Sequence, residues 1–154
     1  MRIRADEHIS VKIVRSIKDI CGQGQFGDIE LSSVYDEHHQ GSSDEYWITE
    51  FANKDGNAIL TADTDFFRKP NQIVAIHQTR LTVFHLPPRW ANAQAHLQAA
   101  HLLIWWPRIV ATLREDKRGE VWTVPWNIKD SGELKQRKID YQEAYKKLGR
   151  SRRR

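Results

Sequence analysis

The chain has 154 residues, of which 40% are hydrophobic and 29% charged, and its formal net charge is +4. These values fit one ordinary globular domain and exclude a largely disordered chain. No apolar run reaches the roughly 18 residues that a membrane-spanning helix needs, so we expect no membrane association. The residues from Met1 to Glu7 lack the apolar stretch of a secretory signal, and Cys21 is the only cysteine. We therefore expect a cytoplasmic protein without intrachain disulfides.

The first third of the chain predicts a strand, a helix and a second strand. Residues 2–5 are expected to form a short strand that ends at Asp6-Glu7. Ser10 is a suitable N-cap for a helix over residues 11–20, where isoleucines recur at helical spacing. A second strand is expected within residues 28–35.

The next segment predicts a helix followed by a buried strand. Ser42 and Glu45 match a capping box, which places Asp44 in the first turn of the helix. A tight turn is expected at Asp55-Gly56. The following run, Ala58-Ile59-Leu60-Thr61, has the length of a fully buried strand and leads into Asp63 and Asp65.

The second half predicts three more strands and one long helix. Strands are expected at residues 73–76 and 81–86, and a last strand at 120–126, placed at an edge because of Pro125. The helix covers residues 93–113, and Pro107 is expected to kink or divide it. Its apolar stripe also suits a homodimer interface. The whole order indicates an α/β fold with helices packed on a sheet.

Positive charge is concentrated at the C-terminal end of the chain. Residues 129–154 contain ten Lys or Arg and four Asp or Glu, whereas the remainder has 14 basic and 16 acidic residues. This difference predicts a domain over residues 1–128 and a basic C-terminal tail over residues 129–154. Such a tail attracts phosphate backbones, although anionic lipid, an acidic partner or a solvated, partly disordered tail fits the composition equally well.

The positions of the acidic residues are more informative than their number. Asp6 and Asp63 each follow the end of a predicted strand. If those strands are parallel, both carboxylates emerge at the edge where open α/β sheets bind ligands. The helix that begins near Asp44 runs back along the sheet into the Asp63 strand, so its start returns to that same edge.

Carboxylates gathered in this way repel one another unless they are protonated or neutralised. A hard divalent cation such as Mg²⁺ accepts one or two carboxylates together with water and phosphate oxygens. Such an ion activates water near neutral pH and stabilises charge on a phosphate under attack. The acidic edge therefore predicts phosphodiester hydrolysis.

Three segments of the sequence resemble the PIN-like domain family. They are Ala5-Asp6-Glu7, the run Ser43-Asp44-Glu45-Tyr46-Trp47, and Leu60-Thr61-Ala62-Asp63-Thr64-Asp65-Phe66. The resemblance is closest to the branch of VapC-type toxins and their Mut7-C-like relatives. It implies a three-layer sandwich in which helices flank a mainly parallel central sheet.

The resemblance also implies an activity and a site. It implies an endoribonuclease that depends on Mg²⁺ or Mn²⁺, acts on RNA, and in many members is a toxin restrained by a cognate antitoxin. By this resemblance, the residues that correspond to the metal site of the family are Asp6, Asp44, Asp63 and Asp65, with Thr61 near them. Members of the family usually carry a glutamate on an early helix, which residues 11–20 lack. Glu7 or Glu30 is the candidate to replace it, and Glu7 is otherwise expected to lie just outside the ligand set.

Structural explanations exist for several of these acids. Asp6 and Asp65 are also suited to capping the segments that follow them, and an acid in the position of Asp44 is favoured by the helix dipole alone. Asp63 has no comparable structural need.

Competing functions are less well supported by the sequence. A phosphoryl-accepting receiver domain needs a lysine at a later strand end, which is missing, and Asp63-Thr64-Asp65 alone is a weak match to phosphatases and glycosyltransferases. The remaining alternative is a catalytically degenerate PIN-like module that binds RNA or protein.

Overall fold

The computed structural model describes residues 1–36, 43–116, 118–129 and 132–153. These residues form a six-stranded sheet with helices on both faces. The strands are β1 (Arg2–Ala5), β2 (Glu30–Ser33), β3 (Ala58–Thr61), β4 (Thr82–His85), β5 (Val121–Thr123) and β6 (Lys135–Arg137). The α-helices are α1 (Val11–Cys21), α2 (Asp44–Asn53), α3 (Pro70–Thr79), α4 (Pro88–Asn92), α5 (Ala95–Arg114) and α6 (Tyr141–Arg152).

The sheet has the strand order β2-β1-β3-β4-β5-β6. The first five strands are parallel, and β6 is antiparallel to β5. After β1 the chain moves outward to β2, and it then returns to place β3 on the other side of β1. The order therefore reverses between β1 and β3, which creates a crevice beyond their carboxyl ends.

The helices complete a three-layer α/β sandwich, which confirms the expected fold class. Strand residues alternate between the two faces of the sheet. Leu60 and Phe84 face α1 and α5, whereas Ile59 and Val83 face α2 and α3. Helix α6 lies outside α3, where Ala144 is buried against it.

The early elements form where local sequence signals place them. Ser10 is the N-cap of α1, and its side chain accepts a hydrogen bond from the backbone N–H of Lys12. Helix α2 begins at Asp44 with Ser43 as its N-cap, while the predicted cap Ser42 lies outside the described residues. Trp47 is among the residues that bury the inner face of α2.

The strand predicted at residues 73–76 is wrong, because this segment lies inside α3. Pro70 occupies the first turn of that helix, where a missing N–H costs nothing. Consecutive apolar residues occur here because α3 is covered by the sheet on one side and by α6 on the other. The neighbouring strand predicted at 81–86 is confirmed as β4.

Two further expectations concern the later elements. Helix α5 is continuous across Pro107 and is not divided. Strand β5 is not an edge strand, because it pairs with β4 on one side and β6 on the other. Pro125 lies beyond the end of β5, so it removes no hydrogen bond from the ladder.

The basic C-terminal segment contributes two elements to the same fold, since β6 extends the sheet and α6 packs on α3. The stripe on α5 that suggested a homodimer is buried within one chain, where Trp105, Trp106 and Ile109 belong to the core. In the part of the chain that the structure describes, no helix has the length and apolar character needed to cross a membrane.

Candidate active site

Two buried aspartates lie at the reversal point of the sheet. Asp6 follows β1, and its backbone N–H donates to the carbonyl of Leu60 in β3 at 3.0 Å. Asp63 lies two residues beyond the end of β3. Only 3% of Asp6 and 6% of Asp63 is exposed, which is unusual for a charged residue and indicates specific partners.

Thr61 joins the two aspartates. The Thr61 hydroxyl donates a hydrogen bond to Asp6 Oδ2. Its oxygen, Thr61 Oγ1, accepts a hydrogen bond from the backbone N–H of Asp63 at 3.1 Å. Thr61 is fully buried, so water does not compete for these hydrogen bonds. One hydroxyl thereby fixes the side chain of one aspartate and the backbone of the other.

Each aspartate also closes the turn that follows it. Asp6 Oδ1 accepts the backbone N–H of His8 at 3.1 Å, and Asp63 Oδ1 accepts that of Asp65 at 2.9 Å. Short Asp side chains make such contacts two residues along the chain at little conformational cost. These turns hold both carboxylates at the sheet edge, with lone pairs left over for another partner.

His8 lies across the two carboxylates. Its Nδ1 is 3.8 Å from Asp6 Oδ2, and its Nε2 is 4.0 Å from Asp63 Oδ1. Pairing with Asp6 raises the pKa of His8 to about 9, although burial opposes the rise, and the charges of Asp63 and Glu7 contribute. The ring is therefore positively charged at neutral pH and offsets part of the negative charge of the pair.

Asp44 joins the site from the start of α2. Its Oδ1 accepts Trp47 Nε1 at 2.9 Å, and its Oδ2 accepts the side-chain amide of Gln72 from α3. The Lys69 ammonium lies 3.9 Å from Asp44 Oδ2 and 3.7 Å from Asp63 Oδ2. Lys69 thus bridges these two carboxylates while its side chain stays about half exposed.

Three other acids named from the sequence lie outside this group of carboxylates. The Asp65 side chain is exposed and pairs with Arg68, whose Nη1 lies 3.2 Å from Asp65 Oδ1. Glu7 is exposed beside the site and influences it through the charge on His8. Glu30 lies at the amino end of β2, paired with Arg2 at 3.6 Å, and so belongs to the opposite edge of the sheet.

Sequence reasoning missed three polar neighbours of the site. His85 ends β4 at the same sheet edge, and its Nε2 donates to the carbonyl of Asp63 at 2.9 Å. Burial lowers the pKa of His85, so the ring is neutral at pH 7 and carries its proton on Nε2. Its strand-end position was a usable signal, whereas Lys69 and Gln72 were hidden by the mistaken strand in this region.

The site offers oxygen ligands of the kind that hard cations prefer. Among residues 1–36, 43–116, 118–129 and 132–153, no group of three or more His, Cys, Asp or Glu side chains is arranged to hold a metal. Two carboxylates, such as those of Asp6 and Asp63, satisfy Mg²⁺ when water and substrate phosphates complete its coordination. The donor set therefore fits Mg²⁺ or Mn²⁺ better than Zn²⁺, which prefers His and Cys ligands.

Comparison with known proteins agrees with this architecture. The family described as PIN like domain matches residues 1–88, more than half of the chain, and the match covers every aspartate of the site. Comparisons with curated proteins and with solved structures gave no significant match. On its sequence match, and consistently with its sheet and acidic edge, this chain belongs to the PIN-like domain family.

Proposed function

We propose that this chain is a metal-dependent endoribonuclease. The observation that carries the proposal is the linkage of Asp6 and Asp63 through Thr61 at the reversal point of the sheet. Burying two carboxylates side by side costs stability unless a cation offsets their charge. Membership of a family in which nucleases are common supports the same activity.

The proposed cofactor is Mg²⁺ or Mn²⁺, which Asp6 and Asp63 would hold. Asp44 would lie next to this metal site, because Lys69 bridges it to Asp63. When bound, the ion would supply charge neutralisation for a phosphodiester under attack and activation of the hydrolytic water. We assign Asp65 a weaker role, because its side chain points toward Arg68.

The remaining residues prepare the site for an anionic substrate. Thr61 holds the Asp6 carboxylate in one orientation, and His85 holds the backbone of Asp63. His8 and Lys69 carry positive charge at the exposed mouth of the site, which favours the approach of a phosphate. Both cations lie beside the proposed ligands, so they would compete with a metal ion for the carboxylates.

The test is RNA cleavage by the purified chain in Mg²⁺ or Mn²⁺, with a chelator control. We expect Asp63→Asn to lower the cleavage rate at least a hundredfold, because the substitution removes a charged oxygen ligand. Asp55→Asn is the matched control, since Asp55 lies in the turn before β3 at the opposite edge. Equal cleavage by the wild type and Asp63→Asn, or cleavage in the presence of chelator, would contradict the proposal.

We further propose that the chain is the toxin of a toxin–antitoxin pair of the VapC type. The position of Lys69 supports a mode of inhibition, because an ammonium group is accommodated between Asp44 and Asp63. An antitoxin that inserts a Lys or Arg there would compete with the metal. Expression in a bacterial host should arrest growth, and a co-purified partner should suppress cleavage. Arrest by Asp63→Asn as strong as by the wild type would argue against this role.

A catalytically degenerate RNA- or protein-binding module is the second candidate. It is favoured by the lack of a three-ligand metal group in the described residues and by the cations that already pair with the carboxylates. This candidate predicts RNA binding that a chelator leaves unchanged, together with no cleavage in either metal. Chelator-sensitive cleavage would exclude it.

A further inference from the structure

The C-terminal segment borders the acidic site. Two cavities, of about 510 Å³ and 380 Å³, lie between the Phe66–Arg68 turn, the start of α3, and the segment formed by β6 and α6. Arg68, Pro70 and Lys147 line both cavities, so the two lie side by side. The first cavity also includes Asp44 and Lys69, which joins it directly to the candidate active site.

Positive side chains recur along this path. We define the basic groove by five of its lining residues, which are Arg68, Lys69, Arg137, Lys138 and Lys147. Four acids also line it, which are Asp44, Glu45, Asp140 and Glu143. Asp140 caps α6 by accepting the N–H of Glu143 at 3.0 Å, and Asp44 belongs to the site. Arg137, Lys138 and Lys147 are exposed, so their charges are available to a ligand.

The groove is fixed in place by packing. Arg137 stacks on the ring of Phe67, with its Cζ 4.6 Å from the ring centroid. Ala144 is buried in one cluster with Ile73 and Val74 of α3, so α6 cannot swing away as a free tail would. The chain from Asp63 to Phe67 is only a few residues long, so these contacts hold the cations close to the carboxylates.

We infer that the basic groove binds the phosphate backbone of a single RNA strand and leads it to Asp6 and Asp63. The inference deepens the proposed function and rests on it for the direction of the strand. An acidic site repels RNA, and a row of cations beside it offsets that repulsion and positions the strand. Three of its five cations, Arg137, Lys138 and Lys147, lie beyond the matched region 1–88, so the C-terminal segment of this chain supplies most of its positive charge.

Binding is tested without metal, so that cleavage does not interfere. The probe is a fluorescein-labelled oligouridine of about 12 nucleotides, titrated with the full chain in EDTA and followed by fluorescence anisotropy. We expect Lys138→Gln/Lys147→Gln to weaken binding roughly tenfold and to make the log–log salt slope shallower by about 1.4, because each phosphate contact on a single strand contributes about 0.7.

The matched control is Lys146→Gln/Arg150→Gln, which removes the same charge from exposed positions of α6 that do not line either cavity. We expect the control to change affinity less than threefold. Equal losses for both double variants would overturn the groove, since they would indicate attraction by net charge alone. Preferential, groove-dependent binding of anionic lipid vesicles over RNA would overturn it as well.

The outcome separates this inference from the nuclease proposal. Groove-dependent binding without cleavage in any metal would uphold the groove and reject the nuclease. Metal-dependent cleavage with wild-type RNA affinity in Lys138→Gln/Lys147→Gln would uphold the nuclease and reject the groove.

Discussion

Replacing Thr61 with valine tests the hydroxyl that connects Asp6 to Asp63. The substitution keeps the side-chain shape but removes the donor to a carboxylate and the acceptor for the Asp63 N–H. A hydrogen bond to a charged group contributes about 1.5–3 kcal/mol, and a buried N–H left without an acceptor costs about 1–3 kcal/mol. The added methyl group recovers about 0.8 kcal/mol. We therefore expect Thr61→Val to lower the free energy of unfolding by about 2–5 kcal/mol.

The assay is urea denaturation at pH 7 followed by circular dichroism, with Thr61→Ser as the matched control. Serine keeps the hydroxyl and loses one buried methyl group, which costs about 1 kcal/mol. The midpoint should fall in the order wild type, Thr61→Ser, Thr61→Val, with an unchanged denaturant slope. A valine variant as stable as the serine variant would refute the reasoning, because the hydroxyl would then hold neither aspartate.

Three further predictions concern charge, pH and packing. Lys69→Gln should tighten Mn²⁺ binding about fivefold in calorimetry, because it removes an ammonium group that competes for the carboxylates with an interaction energy of about 1 kcal/mol at this exposure. Lys54→Gln is the control and should leave Mn²⁺ binding unchanged. The free energy of unfolding should fall as pH drops below 6.5, because burial lowers the pKa of His85 and the unfolded chain then binds a proton more readily than the folded chain. His85→Gln should flatten this pH dependence in urea titrations at several pH values. Gly56→Ala should lower the free energy of unfolding by about 1–3 kcal/mol, since its Cβ would lie 2.5 Å from the buried Phe51 ring; an unchanged melting temperature would contradict this.

Local sequence signals were sufficient for the part of the fold that contains the aspartates. Asp6 directly follows a buried strand, Asp63 lies two residues after another, and the helix between them begins at Asp44. These signals depend on neighbours in the chain, such as the N-cap Ser10 and the uninterrupted apolar run of β3. The fold class followed because alternating strands and helices have few ways to pack.

Signals of this kind failed where an element is buried on two sides. Residues 73–76 are consecutive and apolar, which suits either a buried strand or a buried helix. The choice depends on α6, which covers the outer side of α3 and comes about 70 residues later. The same mistake concealed Lys69 and Gln72, because their approach to Asp44 requires the helical path of α3.

By itself, the sequence determined that Asp6 and Asp63 follow strand ends and that Asp44 begins a helix, because strand ends and helix starts are encoded locally. Only the tertiary structure decided which groups surround these aspartates. It places Lys69 between two carboxylates, pairs Asp65 with Arg68, and packs β6 and α6 beside the site. Residues 135–137 are all exposed and polar, so no hydrophobic pattern marks them as a strand. Their place is set by hydrogen bonds to β5, and such pairing between distant segments leaves little trace in local sequence.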